Sequence, residues 1–362
     1  MKNCKDPLIT VLMPVHNGER YIGEAIFSIL KQTFRDFELL IINDHSTDKT
    51  LNVINLYKDD KIRLIHNNKK LGLAVTRQKG VDLSRGRIIA FLDSDDISHP
   101  DRLKDQIKYL NNDRNLGVIG SWVELIDSNG KRTGKVWKHA SDQKLIPSIL
   151  FFRSCFTQSA ITLKKEILKR FPFRKEFWAA PDYDLLTRLS CKFEMSNIPK
   201  ILTYYRYHES NMSKDYQDEI TVCVNKIFKR NIANLGIQAT DQDILVHRML
   251  EPGKIDYKIE EINMIENWLN KLIAKNREKK LFDETSFQRI ISDYWFKICA
   301  SSACKGYYSL KRYKYSHLAQ DNRIVNGLLK NIIIFVLCFF GKNLLIDITS
   351  DNWINIIPKI LS

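Results

Sequence analysis

The sequence lacks the cysteine patterns of disulfide-bonded and zinc-binding proteins. Its 362 residues include seven cysteines, an odd number that is widely spaced and contains no C-x-x-C pair. This distribution excludes a disulfide framework and a zinc ribbon, and it is typical of proteins in a reducing cytosol. The polar residues 1–7 also lack the apolar stretch of a secretory signal. These absences predict a cytoplasmic protein.

Long hydrophobic runs and glycine-rich phosphate loops are missing as well. The apolar run at residues 332–340 has nine residues, whereas a helix needs about 20 to cross a membrane. No G-x-G-x-x-G motif follows the first apolar stretch, which argues against a dinucleotide site. The formal charge of +15 is a separate observation, and it indicates a partner of opposite charge. Phosphorylated substrates and an anionic membrane surface remain candidates; no nucleic-acid-binding motif accompanies the charge, so we predict no nucleic-acid partner.

The first hundred residues alternate between two hydrophobic patterns. Largely apolar segments predict strands at residues 8–13, 37–42, 62–66 and 88–92, of which the first and the last are expected to be buried. Between them, helical apolar spacing occurs at residues 19–32, 49–57 and 71–84. This alternation predicts a parallel sheet with right-handed crossovers, whose ligand lies beyond the carboxyl ends of the strands.

Three carboxylates, Asp93, Asp95 and Asp96, follow the strand at residues 88–92. They repel one another unless a cation lies between them, and Mg²⁺ or Mn²⁺ commonly binds one or two carboxylates together with substrate phosphates. The alternative is an acidic turn that caps the helix beginning near Pro100. The other strand ends favour the metal–phosphate hypothesis, because they carry Asn17 and Asp44 at the same edge.

The order of these motifs resembles the family 2 glycosyltransferases of the GT-A fold. It consists of Pro-Val-His-Asn at 14–17, Asn-Asp-His-Ser-Thr-Asp at 43–48, Gly-Leu-Ala at 72–74, and Asp-Ser-Asp-Asp at 93–96 with Pro-Asp-Arg-Leu at 100–103. The resemblance covers about residues 6–213. It implies an α/β, Rossmann-like, mostly parallel sheet flanked by helices, followed here by a helical C-terminal region.

The resemblance also assigns roles to residues. It implies that Asp44 reads the uracil edge, that Arg77 lies near the diphosphate, and that Asp95 is the main ligand of a Mn²⁺ or Mg²⁺ ion, with Asp93 facing the ribose and the metal. The implied nucleotide-sugar-binding residues are Pro14, Val15, His16, Asn17, Asp44, Ser46, Arg77, Asp93 and Ser94. Two departures from the family pattern are His16, where an aromatic residue is common, and Asn43-Asp44-His45-Ser46 in place of Asp-Asp-Gly-Ser.

The segment at residues 181–188 resembles the family's Glu-Asp-x-x-Leu-x-x-Arg motif. Asp182 takes the place of the general base, and Pro181 stands where Glu is usual. Pro fits the first turn of a helix, so Asp182 is predicted at a helix N-terminus, where the dipole favours the ionised form. Asp184 is the second candidate, and a simple helix-start carboxylate is the alternative to catalysis.

Two further segments match the family more loosely. Residues 204–213 resemble Tyr-Arg-x-His…Ser, which implies that His208 approaches the diphosphate or its metal, although an isolated histidine is often a core or surface residue. The match also includes Ser213. Gln158 and Ser159 stand near the position of the family's His-Pro-Ser.

The last third of the chain predicts a separate helical region. Helical apolar spacing recurs at residues 220–235, 241–250, 259–274 and 287–300. A basic, tyrosine-rich segment at 305–314 precedes the run at 332–340, so that 332–348 is either a membrane-interface helix or a buried core helix. We therefore divide the chain into a catalytic domain, residues 1–215, and a helical region, residues 216–362.

The resemblance to the family implies an inverting transferase with a nucleotide-sugar donor. It would move a sugar from a UDP-sugar to a hydroxyl of a glycan acceptor, lipid-linked, in surface polysaccharide biosynthesis. It would act in the cytoplasm or peripherally on the inner face of the cell membrane. Two alternatives remain: a non-catalytic sugar-nucleotide-binding protein, and a nucleotidyltransferase, which usually carries a glycine-rich loop after its first strand.

Overall fold

The computed structural model describes residues 6–209, 211, 215–251, 257–302 and 307–319. Ser213 and the predicted segment at 332–348 lie outside these residues. The chain packs as two compact units. The first comprises residues 6–146 and Ser154–Ile227, and the second comprises Pro147–Arg153 and the described residues from Phe228 onward.

A nine-stranded mixed sheet organises the first unit, with β7 paired to β6 beside the path β3-β2-β1-β4-β8-β6-β9-β5. The first four strands are parallel neighbours, as the alternating pattern predicted. Beyond β4 the sheet changes direction, because β8 runs antiparallel to both β4 and β6. The strands are β1 Ile9–Val15, β2 Phe37–Asn43, β3 Ile62–His66, β4 Ile88–Phe91, β5 Ile97–Ser98, β6 Leu116–Ile126, β7 Arg132–Trp137, β8 Thr162–Lys164 and β9 Glu194–Arg206.

β1 continues through Pro14 and ends at Val15, two residues beyond the predicted end of the strand at residue 13. Its pairing with β4 stops at Leu12, whereas its pairing with β2 continues to Val15. The Leu12 carbonyl accepts a hydrogen bond from the Leu92 N–H, so the backbone polar groups of Leu12 point toward β4. Because the direction of these groups repeats every second residue along a strand, the nitrogen of Pro14 points to the same side. β4 has ended there, so the missing N–H of proline removes no sheet hydrogen bond.

Helices cover the sheet because their apolar faces match its buried strands. α1 and α4 both contribute to one core with β1 and β2, through residues such as Ile22, Ile26 and Leu103. Each fully buried side chain of this size stabilises the fold by about 1.5–3 kcal/mol relative to an exposed one. The helices are α1 Ile22–Leu30, α2 Thr50–Asn55, α3 Leu73–Leu83, α4 Arg102–Asn112, α5 Leu145–Phe152, α6 Lys165–Arg170 and α7 Pro181–Leu189, with short 3₁₀ helices at Gln158–Ala160 and Lys175–Phe177.

Five further helices follow: α8 Gln217–Asn234, α9 Asp241–Arg248, α10 Ile259–Lys279, α11 Glu284–Ser301 and α12 Tyr307–Tyr315. Local capping fixes two of their starts. Thr240 forms a capping box with Asp243, and Asp283 accepts a hydrogen bond from the Ser286 N–H. In the described part of the chain, none of the helices has the length and apolar character needed to span a membrane.

The core of the second unit surrounds one buried histidine. His247 is 1% exposed and packs against aromatic rings, with its ring stacked on Phe152 at 5.2 Å. Trp268 Nε1 donates to His247 Nδ1 at 3.1 Å, so Nε2 carries the ring proton and lies 3.3 Å from the carbonyl oxygen of Phe151. Burial lowers the pKa of His247 to about 4, against the hydrogen bond to Phe151, which raises it. This imidazole is therefore neutral at physiological pH.

Candidate active site

The carboxyl ends of β1, β2 and β4 border a cavity of about 360 Å³. A volume of this size is typical of small-molecule sites. The loop before α3, together with Trp178 and Tyr216, completes the wall. We call it the rim cavity. Seven of the residues proposed from the sequence line it: Pro14, Val15, His16, Asp44, Asp93, Ser94 and Asp95.

Asp44 is 4% exposed and holds the loop that precedes α3. Its carboxylate accepts hydrogen bonds from Asn67 Nδ2 at 2.7 Å and from the N–H groups of Leu71 and Gly72 at 2.8 Å. Burial raises the pKa of Asp44, but these hydrogen bonds outweigh it, so the pKa lies below its ordinary value. The Thr76 side chain is a fourth hydrogen-bond partner that lowers the pKa of Asp44, so the carboxylate is ionised and held on several sides.

Gly72 explains how this loop reaches Asp44. Its φ of +84° is in the left-handed region, which costs glycine little, and the conformation directs the Gly72 N–H to Asp44 Oδ2.

Asn17 and Ser46 connect two loops of the rim. Ser46 Oγ accepts from the Asn17 N–H at 2.9 Å and donates to Asn43 Oδ1 at 2.6 Å. Asn17 Oδ1 in turn accepts from the Thr47 N–H at 2.9 Å. Neither side chain is among the described lining residues of the rim cavity. Their contacts position the loops after β1 and β2, so any effect of Asn17 and Ser46 on a ligand passes through the loops.

Arg77 supplies one of the cations that the acidic cluster needs. It lies on α3, is 2% exposed, and donates from Nη2 to Asp93 Oδ1 at 2.7 Å. Arg77 Nε is buried and has no hydrogen-bond partner among the described residues. The Arg77 guanidinium therefore offsets part of the repulsion between the carboxylates that suggested a metal ion.

Asp95 and His208 form the pair that best fits a metal ion. His208 Nε2 lies 3.1 Å from Asp95 Oδ2, and the His208 side chain is 9% exposed whereas that of Asp95 is 29% exposed. His208 Nδ1 is buried without a partner in the described structure. Asp95 lines the rim cavity and His208 lies within hydrogen-bond distance of it, so the carboxylate and the imidazole can both turn to a divalent ion. Asp93 is less available, because Arg77 engages one of its oxygens.

No group of three or more His, Cys, Asp or Glu side chains in the described residues could hold a metal ion unaided. Mg²⁺ and Mn²⁺ sites at diphosphates need fewer, since they use one or two carboxylates and take their remaining ligands from phosphate and water. The donor set therefore fits an ion that binds together with a nucleotide, and it does not fit a permanent structural metal.

Arg206 holds the acidic loop, and the sequence reasoning did not assign it a role. This fully buried side chain donates from Nε to the Asp95 carbonyl at 2.8 Å and from Nη2 to Glu24 Oε2 at 2.8 Å. Its own N–H donates to Asp96 Oδ1 at 2.8 Å. The sequence feature that could have identified Arg206 is its position two residues before His208, in the segment at 204–213 that resembles the family motif.

Buried charges also surround Asp96, which is 1% exposed. Burial, and then the charges of Asp95 and Asp93, raise the pKa of Asp96 well above its ordinary value. Arg102 is fully buried as well, and burial lowers its pKa to about 9, against Asp96 and Asp93, which raise it. Asp96 and Arg102 therefore belong to the support of the acidic loop.

A second cavity, of about 250 Å³, contains the candidate base. We call it the side cavity. Asp182 lies in its wall at the start of α7, together with Arg77 and Gln158. The two cavities share Leu73, Asp93 and Tyr205. A ligand that fills the rim cavity can therefore present one end to Asp182 at the Asp93 boundary.

Asp182 and Asp184 have opposite surroundings although they lie two residues apart. Burial raises the pKa of Asp182, against the positive charge of Arg77 and the N–H groups at the helix start. The expected effect of the helix dipole is present but smaller than that of burial. Asp184 is 0% exposed and forms an ion pair with Arg188 at 2.9 Å. Asp184 is therefore a structural carboxylate, and Asp182 is the one that faces a cavity.

Comparisons with known proteins agree with this geometry. The family model described as Glycosyl transferase family 2 matches residues 10–171. An uncharacterized glycosyltransferase of Methanocaldococcus jannaschii is 34% identical over 205 residues, which are 55% of this chain and 71% of the relative. An Escherichia coli relative, the UDP-Glc:alpha-D-GlcNAc-diphosphoundecaprenol beta-1,3-glucosyltransferase WfgD, is 30% identical over 217 residues, which are 59% of this chain and 83% of the relative.

A solved structure has the same fold at much lower identity. The Staphylococcus aureus TarS fragment 1–349 in complex with UDP-GlcNAc superposes with a TM-score of 0.53 and 19% identity, over 88% of this chain and 92% of that one. This likeness supports the GT-A fold. The relatives that are 34% and 30% identical over the aligned residues, together with the family model, show the family: this chain belongs to glycosyltransferase family 2.

Proposed function

We propose that the chain transfers a hexose-type sugar from a UDP-sugar to a hydroxyl of a glycan acceptor, with inversion at the anomeric carbon. The carrying observation is that two cavities meet at Asp93, one bordered by the strand-end loops and the other containing Asp182. Donor and acceptor can occupy one cavity each and react at the boundary. We assign this reaction to residues 1–215.

The place of Asp44 in the wall of the rim cavity supports a uracil base. Uracil presents one N–H donor between two carbonyl groups, and an ionised carboxylate in the cavity wall is a suitable acceptor for that donor. The E. coli relative uses UDP-Glc according to its name. The diphosphate would then lie toward Arg77, Asp93 and Asp95.

Asp182 serves as the general base in the proposed reaction. Its carboxylate takes the proton of the acceptor hydroxyl while the hydroxyl oxygen forms a bond to the anomeric carbon. The bond from that carbon to the diphosphate breaks, and its electron pair leaves with UDP. A raised pKa suits this role, because a base whose pKa lies nearer the working pH takes up the proton more readily.

Mn²⁺ or Mg²⁺ is the proposed cofactor, held by Asp95 and His208 with Asp93 adjacent. Such an ion supplies charge neutralisation for the departing diphosphate. Arg77 contributes to the same neutralisation from the protein, and its buried position preserves the strength of that interaction.

A lipid-linked glycan is the proposed acceptor, in surface polysaccharide biosynthesis at the inner face of the cell membrane. The name of the E. coli relative includes a diphosphoundecaprenol acceptor. The formal charge of +15 would favour both an acceptor diphosphate and an anionic membrane surface.

The test is donor binding and slow donor hydrolysis across UDP-sugars and GDP-mannose, with Mn²⁺, Mg²⁺ or EDTA. We expect one UDP-sugar to bind and hydrolyse with metal, and EDTA or Asp95→Ala to abolish hydrolysis. Asp60→Ala, which removes an exposed carboxylate, is the matched control and should leave hydrolysis unchanged. The proposal is wrong if no sugar nucleotide binds with either metal. Binding without any transfer would instead favour a non-catalytic binding protein.

A further inference from the structure

Gln158 is a buried amide without hydrogen-bond partners. It lies on the short 3₁₀ helix Gln158–Ala160 and is 7% exposed. Neither its Oε1 nor its Nε2 has a partner in the described part of the chain. A buried amide left unpaired destabilises a fold, because it has given up its hydrogen bonds to water. The arrangement is favourable only if a ligand completes those bonds.

The side cavity places this amide among groups that suit a sugar. Asp182 and Arg77 line the same cavity, and Arg77 Nε is a second buried donor without a partner in the described residues. Trp137 adds an apolar surface to these polar groups. It is 41% exposed and packs against Tyr205 with ring centroids 5.2 Å apart. The wall therefore combines an unpaired amide, a base and an indole ring.

A pyranoside presents the complementary groups. Neighbouring hydroxyls on its ring offer a donor and an acceptor at the spacing of one amide, while its C–H face packs on an indole ring. An acceptor that was mainly charged would leave the indole face unmatched, and a purely apolar one would leave Gln158 unpaired. The position beside Asp182 assigns the ring to the acceptor side.

We propose that Gln158 and Trp137 form the binding site for the acceptor pyranoside, in which the Gln158 amide hydrogen-bonds the hydroxyls next to the one that Asp182 deprotonates. This inference rests on the proposed transferase function and adds the acceptor class. Gln158 is then a specificity-determining residue: an acceptor that lacks a contacted hydroxyl leaves the amide unpaired again and binds poorly.

The experiment compares wild type with Gln158→Met, which keeps the side-chain length and removes the amide. The probes are octyl glycopyranosides and their deoxy analogues as acceptors, with the UDP-sugar that the wild type hydrolyses as donor, and UDP alone for the binding measurement. We expect the acceptor KM to rise roughly 10- to 100-fold and the Kd of UDP to stay within about two-fold. We also expect Tm to rise by about 2 °C, since an unpaired buried amide is lost. A merely structural role would lower Tm.

Two controls accompany this variant. Gln238→Met makes the same change at an exposed position and should alter neither KM nor Tm. Trp137→Ala removes the proposed stacking surface and should raise the acceptor KM without changing the Kd of UDP.

Three results would overturn the inference. One is an acceptor KM for Gln158→Met equal to that of wild type. Another is a rise in the Kd of UDP in place of the acceptor KM, which would move Gln158 to the donor side. The third is that no octyl glycopyranoside binds the wild-type protein with UDP in saturation-transfer NMR. Donor hydrolysis by wild type distinguishes these results from failure of the transferase proposal, which would remove hydrolysis itself.

Discussion

Two buried histidines, one in each unit, have opposite hydrogen-bonding states. In the helical unit, both ring nitrogens of His247 have partners, Trp268 and the Phe151 carbonyl. In the sheet unit, His208 Nε2 faces Asp95, and Nδ1 is buried with no partner among the described residues. Gln158 and Arg77 Nε share that incomplete state and line the side cavity. The difference separates polar groups whose hydrogen bonds hold the fold from Gln158 and Arg77 Nε, which can still bind a ligand in the side cavity.

The same contrast separates the neighbouring carboxylates of α7. Asp184 is fully buried and paired with Arg188, whereas Asp182 lines the side cavity. The two therefore offer a matched pair of substitutions in which function and stability should change independently.

The largest expected effect is that of Asp182→Asn on turnover. Without a base for the acceptor proton, kcat should fall roughly 10²- to 10⁴-fold. Stability and the Kd of UDP should hardly change, because Asp182 forms no ion pair with another residue that the structure describes. Initial rates of UDP release, isothermal calorimetry and thermal melting measure the three quantities. Unchanged turnover would end the assignment of Asp182 as the base.

Asp184→Asn should have the reverse effect. It leaves the Arg188 guanidinium buried without its counter-charge, which lowers the free energy of unfolding by about 3–5 kcal/mol. The protein that remains folded should turn over within about three-fold of wild type, since Asp184 has no exposed surface on a cavity. Urea unfolding and rates per folded molecule test this. A stable but inactive Asp184→Asn protein would contradict the comparison.

The smallest predicted effect is the pH dependence of the helical unit. His247 has a pKa of about 4 when folded and an ordinary value of 6.5 when unfolded. Above pH 6.5 its contribution is fully present. As pH falls from 6.5 toward 4 the unfolded chain binds a proton that the folded chain does not, and stability is lost. About 2 kcal/mol should disappear between pH 7.5 and 5.

The control for this effect is His247→Gln, whose amide can replace both hydrogen bonds but does not titrate. Urea unfolding of both proteins, followed by tryptophan fluorescence at pH 7.5 and 5, isolates the histidine. Equal pH dependence in the two would mean that His247 is not neutral in the folded state.

Sequence patterns located the strand ends because the parallel strands are largely apolar segments that end at polar turns. β3 at Ile62–His66 has the predicted bounds, and Asp44, Asp93 and Asp95 lie at one edge as topology required. The spacing could not reveal what ties that edge together. Arg206 meets Asp95 and Glu24 across 111 and 182 residues of sequence, and only the folded sheet brings them into contact.

The same limit applies to burial. Asp182 and Asp184 both begin a helix, and although the i,i+4 spacing indicates Asp184 as the partner of Arg188, the sequence does not show which carboxylate faces a cavity. Gln158 looked like a loose motif match, and its missing partners became visible once neighbouring segments were in place. The sequence pattern therefore predicts which edge of the sheet carries the site. The hydrogen-bond and ion-pair partners in the folded chain decide what each side chain does there.

Arg206 has a consequence for the thermodynamics of donor binding. Its guanidinium fixes the acidic loop to α1 before any ligand arrives, so the conformational entropy of that loop is lost during folding. Association of the proposed donor would then need little binding free energy to order this loop, because the loop is preorganised. An ammonium group cannot replace the guanidinium, because a lysine has no planar fork to satisfy acceptors in several fixed directions. The affinity of the donor is in this sense set partly by a residue that never touches it.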